Sequence, residues 1–263
     1  MINNLFSLKG RLALVTGAFG YLGEKISETL ALQGADIVLM DRMKNSTNLK
    51  KLNKMKKKFP NQKFYYYSID FSKKKERSKM IKSLKKFKNL SIVINNAAFT
   101  DGRPGYVEPF LKQTMDAWDY CIDVSLTTVF EICKELAPIL KRNKNSSIIN
   151  ISSIYGVYGP DWSIYKGTKM SNPAAYSAAK SGLIQLTKWL SKTIGPETRV
   201  NAISPGGIFR NQPKKFVKAY IKKTALNRMA KESDFVGIIA FLSSDASSYI
   251  TGQNIIVDGG WGA

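Results

Sequence analysis

The chain has 263 residues, 44% of them hydrophobic, with a formal net charge of +22 and no histidine. So apolar a chain can bury a sizeable core, which excludes global disorder, and its length suits one undivided α/β domain over 1–263. The lack of histidine excludes a Ser-His-Asp triad and every histidine-ligated metal, so no metal site is expected and Tyr, Lys, Ser, Asp or Glu must carry any chemistry.

The N-terminal stretch shows no cleavage-site pattern, and no apolar run reaches the ~20 residues that span a bilayer, so neither a signal peptide nor a membrane partner is expected. Residues 11–16 (RLALVT) read as a buried strand. A glycine turn and a helix over 20–33 follow, with Leu22, Ile26 and Leu30 on one face. Residues 36–41 (DIVLMD) form the second strand. Lysines then crowd into 44–63 and 73–88, spaced among Leu49, Leu52, Met55 and Phe59 and among Met80, Ile81, Leu84 and Phe87. That pattern predicts two amphipathic helices with charged outer faces, on either side of a strand at 63–68, the second capped by Ser72. The positive charge is then mostly solvated helix face. No nucleic-acid motif is visible, and no nucleic-acid partner is expected.

Residues 91–95 read as the fourth strand and 114–141 as one long helix. Cys121 and Cys133 lie 12 residues apart on it, too far along the axis to bridge, which predicts reduced thiols in a cytoplasmic protein. Strands at 147–151 and 199–203 flank a helix over 173–193 that carries Leu183, Leu186 and Leu190 on its apolar side. One or two helices fill 211–244, and a last strand at 253–257 ends in Asp258-Gly259-Gly260. Strands and helices alternate without repeat or linker. The expected fold is one doubly wound Rossmann-like domain, a parallel sheet of about seven strands with helices on both faces.

The first strand leads into Thr16-Gly17-Ala18-Phe19-Gly20-Tyr21-Leu22-Gly23. Glycines there let the backbone approach a pyrophosphate, and the helix start offers unpaired N–H groups to the anion. Asp41 closes the second strand, 18 residues after Gly23. A carboxylate in that place accepts the ribose hydroxyls of an adenosine half and repels a 2′-phosphate, which points to NAD over NADP. Arg42 beside it partly counters the repulsion.

These features resemble the short-chain dehydrogenase/reductase family over nearly the whole chain. By that resemblance Asp70 contacts the adenine, with Phe71 beside it. Asn95 of Asn95-Asn96-Ala97-Ala98 braces the sheet, while Asn96 and Ala97 line the nicotinamide ribose. Ser204-Pro205-Gly206-Gly207-Ile208 resembles the loop that covers the nicotinamide, and Asp258-Gly259-Gly260 the C-terminal turn. Tyr176-Ser177-Ala178-Ala179-Lys180 matches the family's Tyr-x-x-x-Lys. Residues i and i+4 share a helix face, so an ammonium stands beside a phenol, lowers its ordinary pKa of ~10 and suits the ribose hydroxyls. Ser153 matches the serine that holds the substrate oxygen, which makes Ser152 structural. The implied enzyme moves a hydride between an alcohol or ketone and a nicotinamide, and resembles proteins that pair long helices into homodimers or homotetramers.

Three positions depart from the family pattern. Tyr21 replaces a glycine of the phosphate turn, where it could crowd the pyrophosphate, although Gly20 shifts the motif to Thr-Gly-x-x-Gly-x-x-Gly. Ser125 stands where a helix asparagine usually holds a relay water. Arg210 stands where a threonine often contacts the carboxamide.

The 22 residues between Ser153 and Tyr176 are more than the family usually has. In or near that segment Tyr158, Trp162 and Tyr165 could stack on a sugar ring, while Lys166, Lys169, Arg103 and Arg210 could meet a phosphate or carboxylate. It could equally be a loop that packs on a neighbouring subunit. The wording of 152–161 and 164–168 resembles a subgroup tied to flagellin modification and sialic-acid-like sugar biosynthesis, which suggests an amino-sugar or sugar-phosphate substrate. Two other classes stay open: a catalytically silent fold acting as a scaffold, and a charge-driven nucleic-acid binder.

Overall fold

The computed structural model describes residues 5–42, 45–99 and 102–263. Seven strands, β1 (Leu12–Thr16), β2 (Asp36–Asp41), β3 (Phe64–Ser68), β4 (Leu90–Asn95), β5 (Ser146–Ile151), β6 (Thr198–Pro205) and β7 (Asn254–Val257), form one sheet in the order β3-β2-β1-β4-β5-β6-β7. Every pairing is parallel. The order reverses direction between β1 and β4, and a doubly wound sheet opens a ligand crevice at the carboxyl ends of such strands.

A strand sends alternate side chains to opposite faces, and here both faces are covered. Leu12 and Leu14 of β1, with Val38, Met40 and Val93, pack beneath α4 (Met115–Ile122), α5 (Thr128–Arg142) and α6 (Ala174–Thr193). Ala13 and Val15, with Ile37, Leu39, Ile92 and Ile94, pack beneath α1 (Tyr21–Leu32), α2 (Ser46–Lys58) and α8 (Val236–Ser243). A third cluster stands apart from these two. In it Ile154, Ile164 and Tyr165 of the long segment after β5 meet Phe216 and Tyr220 of α7 (Lys214–Ile221) and Met229.

The two lysine-rich helices are α2 and α3 (Lys74–Ser83), and both bury a narrow apolar stripe, Leu52 and Met55 on the one and Ile81 on the other. Ser72 does not cap α3. Lys73 holds that position, and the Ser72 hydroxyl donates instead to Asp70 Oδ1 at 2.7 Å. Arg77 of α3 runs against the exposed-lysine pattern and is fully buried. It donates to both carboxylate oxygens of Asp123, at 2.6 and 3.0 Å, and to Glu131 at 2.7 Å.

The long helix expected over 114–141 is interrupted. Between α4 and α5 a π-helical turn spans Asp123–Thr127, and the Thr128 hydroxyl donates back to the Asp123 carbonyl at 2.9 Å. Such a turn inserts a residue into the helix and re-aims the side chains around it. Cys121 and Cys133 therefore lie on different helices, and both are free and buried.

Candidate functional site

A cleft of about 680 Å³ opens over the carboxyl ends of β1, β4, β5 and β6. Its floor begins at the turn after β1. Gly17 has φ +62, and a Cβ there would stand 3.0 Å from Ala97 Cα and 3.1 Å from Asn96 Nδ2. A Cβ on Gly23 would stand 1.9 Å from the Gly17 carbonyl oxygen. Only glycine lets α1 start so close to the turn. Thr16 ties this turn to the next strand: its Oγ1 accepts from the Asn96 and Ala97 N–H groups, each at 3.0 Å. The Asn96 amide donates to the carbonyls of Thr16 and Gly17. Asn95 donates to Asn150 Oδ1 at 2.8 Å and so bridges β4 and β5.

Asp41 ends β2 at one end of the cleft. Its Oδ2 accepts from Phe19 N and its Oδ1 from Arg42 N, both at 2.7 Å. These bonds fix the carboxylate and leave each oxygen a second lone pair. Asp70 and Phe71 line the cleft nearby. Asp70 Oδ1 also accepts from Ser72 N at 3.0 Å, which sets the loop that carries both residues.

At the other end Ser153 and Lys180 are buried, and Tyr176 is partly so. Tyr176 and Lys180 stand one turn apart on α6, with Lys180 Nζ 5.6 Å from the phenol ring centre and donating to the Ile151 carbonyl at 2.7 Å. Ser153 Oγ accepts from Tyr155 N at 3.2 Å, and both Ser153 and Tyr176 line the cleft. Burial pushes the Tyr176 phenol up, against the Ser153 hydroxyl and the Arg210 charge, which favour the phenolate. Burial also lowers the Lys180 ammonium to about 8. Both shifts favour the neutral forms, because desolvation outweighs the neighbouring charges. Desolvation thus sets the phenol above the value that a neighbouring ammonium alone would give it.

Gly17, Gly20, Tyr21, Leu22, Asp41, Asp70, Phe71, Asn96, Ala97, Ser153, Tyr176, Lys180 and Ile208 all line the cleft. Ser125 does not. It is fully buried in the π-helical turn, and its hydroxyl accepts from Phe99 N at 3.0 Å. Its place is thus beneath the strand-to-loop exit of β4, where it fixes backbone.

The Tyr21 ring does not fold into the turn. It is 70% exposed, and the Arg210 guanidinium carbon lies 4.6 Å from its centre. Two departures from the family pattern therefore meet across the mouth of the cleft. An exposed contact of this kind contributes about 0.5–1 kcal/mol.

The segment after β5 packs on α7 of the same chain rather than standing open. The Tyr165 and Tyr155 hydroxyls are hydrogen-bonded, and Asp161 pairs with Lys223 just beyond α7. Tyr165 lines the cleft, as does Met170, while Tyr158, Trp162, Lys166 and Lys169 do not. Tyr158 packs on Trp261 instead. Arg103 is drawn away to Asp116, at 2.8 Å, and to the Tyr120 ring. The sequence did not point to Tyr155, Met170, Gln212, Phe216, Tyr220 and Met229, which also line the cleft. A local signal existed only for Tyr155, two places after Ser153.

The chain's relatives fit this geometry. A family model described as enoyl-(acyl carrier protein) reductase matches residues 17–262. A 3-oxoacyl-[acyl-carrier-protein] reductase of Thermotoga maritima is 31% identical, with 96% of this chain and 98% of the relative covered. The post-translational flagellin modification protein A of Campylobacter coli is 28% identical, with 97% and 99% covered. A crystal structure of a short-chain dehydrogenase from Leptospira borgpetersenii with bound NAD+ superposes with a TM-score of 0.84 at 33% identity, covering 98% of this chain and 94% of that one. This chain belongs to the short-chain dehydrogenase/reductase family, enzymes that use NAD(P) to interconvert alcohols and ketones.

Proposed function

We propose that the protein is an NAD(H)-dependent oxidoreductase that interconverts an alcohol and a ketone on a polar, sugar-like or anionic substrate. The observation that carries this reading is one continuous cleft. It runs from the Asp41 carboxylate, past a turn that only glycine permits, to the side chains of Ser153 and Tyr176.

The cradle fits a dinucleotide. Gly17, Gly20, Tyr21 and Leu22 receive the diphosphate, Asp41 the adenosine ribose, and Asp70 and Phe71 flank the adenine. Asn96, Ala97, Lys180 and Ile208 hold the nicotinamide end. The free lone pairs of Asp41 suit two ribose hydroxyls and oppose a 2′-phosphate, which favours NAD over NADP. When bound, the nicotinamide supplies or accepts the hydride.

The chain's own residues then handle the proton. Ser153 Oγ holds the substrate oxygen beside the Tyr176 hydroxyl. Burial keeps that phenol protonated, so it stands ready to donate to a ketone as hydride arrives. In the reverse direction the phenol must lose its proton first, and the charge on Lys180 assists that loss. Ser125 serves as a positioning residue through its bond to Phe99 N.

Tyr155, Tyr165 and Tyr220 line the substrate end, where hydroxyls suit a polyhydroxylated substrate better than a long aliphatic one. The likeness to the Campylobacter coli flagellin modification protein favours the subgroup that residues 152–161 and 164–168 resemble, and with it a sugar-like substrate. We read residues 1–263 as one domain of a cytoplasmic enzyme. Exposed apolar residues on α5 and α6, Phe130 and Trp189, favour pairing into a homodimer or homotetramer.

Titrating the protein with NADH and NADPH and following the fluorescence of the bound nicotinamide tests this reading. It predicts tight NADH binding, poor NADPH binding, and weakened NADH binding in Asp41→Ala. Failure of the protein to bind either nucleotide overturns it.

A further inference from the structure

Arg210 and Tyr21 are 189 positions apart in the chain, yet they form the contact that crosses the cleft mouth. Tyr21 opens α1, the element whose start faces the diphosphate position. Arg210 stands on the loop after β6 and is held from three directions. Its backbone N–H donates to Gln212 Oε1 at 2.7 Å, and Gln212 in turn donates to the Ile208 carbonyl at 2.8 Å. Its Nε donates to Glu232 at 3.2 Å, and its guanidinium plane meets the Tyr21 ring.

A guanidinium has five N–H donors in a planar fork. Neither Glu232, which takes Nε, nor the ring face uses up the fork's terminal nitrogens. Arg210, Tyr21, Gln212 and Ile208 all line the cleft. The free side of the guanidinium therefore meets the region between the glycine turn and the nicotinamide end. A dinucleotide carries its diphosphate there, and an arginine fork matches phosphate oxygens in geometry as well as charge. The charge of Arg210 also reaches the Tyr176 phenol, which sets it within the same cleft field.

We propose that Tyr21 and Arg210 form a latch over the bound dinucleotide: Arg210 bonds the diphosphate while Tyr21 holds its guanidinium in place, so that the cofactor leaves only when this contact opens. The proposal rests on the dinucleotide-binding reading above and adds to it a pair of positioning residues and the step they control. Tyr21, which as a sequence feature threatened to block the turn, becomes the arginine's support.

The test is the release rate of NADH, measured by stopped-flow displacement with excess NAD+, in wild type, Tyr21→Leu, Arg210→Gln, Arg210→Lys and the double variant Tyr21→Leu/Arg210→Gln. Both side chains are largely outside the core, and thermal melts check that each variant folds. Arg210→Gln is expected to speed release about tenfold or more, the scale of a charge-assisted bond to phosphate together with the lost stacking. Tyr21→Leu is expected to speed it about two- to fivefold, the worth of an exposed cation–π contact. The double variant should match Arg210→Gln within about twofold, because Tyr21 acts through Arg210. Arg210→Lys should fall between, since it keeps the charge and loses the fork. Competition by ADP should weaken in Arg210→Gln, while competition by adenosine, which has no phosphate, should not. Unchanged release in both single variants, or effects that simply multiply in the double variant, would overturn the latch while leaving the dinucleotide site standing. If wild-type protein binds no dinucleotide, the latch and the parent reading fall together.

Discussion

Replacing Gly23 with alanine places one methyl group where the fold has no room. Its Cβ would stand 1.9 Å from the Gly17 carbonyl oxygen, 2.9 Å from the Gly17 carbonyl carbon and 3.0 Å from Ala18 Cα. All three are backbone atoms, so no side chain can swing aside. Ordinary contact begins at 3.4 Å, and 3.4 minus 1.9 leaves 1.5 Å for α1 and the turn to move apart. Overpacking of this kind costs about 1–3 kcal/mol, and at this chain length each kcal/mol lowers Tm by about 2–4 °C. The larger effect falls on binding, because Gly17 and Gly23 both line the proposed diphosphate cradle, and parting them draws the turn's N–H groups away from the phosphate position. Gly237→Ala is the control. Gly237 lies within α8 with open space around its would-be Cβ, so alanine there should stabilise by about 0.5–1 kcal/mol. Fluorescence titration with NADH and thermal melts read both effects. Gly23→Ala with wild-type NADH affinity would refute the claim that this turn receives the cofactor.

Other outcomes follow from the buried charges. Lys180 has its ammonium lowered to about 8, below its unfolded value of ~10.4, so burial of the charged form costs stability at neutral pH, and that cost fades as pH rises from about 8 to ~10. Lys180→Met should therefore gain in Tm relative to wild type at pH 7 and lose that gain by pH 10, and a gap independent of pH would contradict the assignment. In wild type, ketone reduction should decline as pH rises through about 8, and Lys180→Arg should move that decline upward in a kcat/KM profile. Arg77→Met removes the buried partner of Asp123 and Glu131. Those carboxylates are partly solvated, so the loss should sit at the low end of the buried-pair range, about 3 kcal/mol in a denaturant melt. Light scattering should find a dimer or larger, with Trp189→Glu shifting the population toward monomer; a wild-type monomer would remove the oligomer reading.

The sheet was legible because its strands are short, almost wholly apolar runs bounded by turn residues. β2 has the bounds its composition suggests, and β4 and β5 each start one residue earlier than expected. β6 runs longer, to Pro205, because β7 pairs with its last residues, and pairing is not written in a strand's own sequence. The π-helical turn at Asp123–Thr127 was hidden for a related reason. Apolar periodicity carries across it, while what sustains it includes Arg77, a basic residue in a helix whose neighbours are solvated.

Glycine positions, the carboxylate at the end of β2 and the i, i+4 pair on α6 each require a particular residue at a particular place, so the cleft's floor was legible. Its roof was not. Phe216, Tyr220 and Met229 are ordinary apolar residues that reach the cleft only because the segment after β5 packs on α7. Trp162 and Lys166 have the right chemistry for a sugar phosphate, yet that same packing turns them out of the lining. Tyr21 and Arg210 each read as a defect in isolation and make sense only once the fold sets them face to face.

The measurement that bears most directly on the proposed chemistry is Tyr176→Phe, assayed for NADH binding and for turnover of ketone and sugar substrates side by side with wild type. Proton donation by the Tyr176 hydroxyl predicts NADH affinity within about twofold of wild type and turnover lower by about 10²–10⁴, since only that hydroxyl is lost. Turnover that survives the substitution would contradict it.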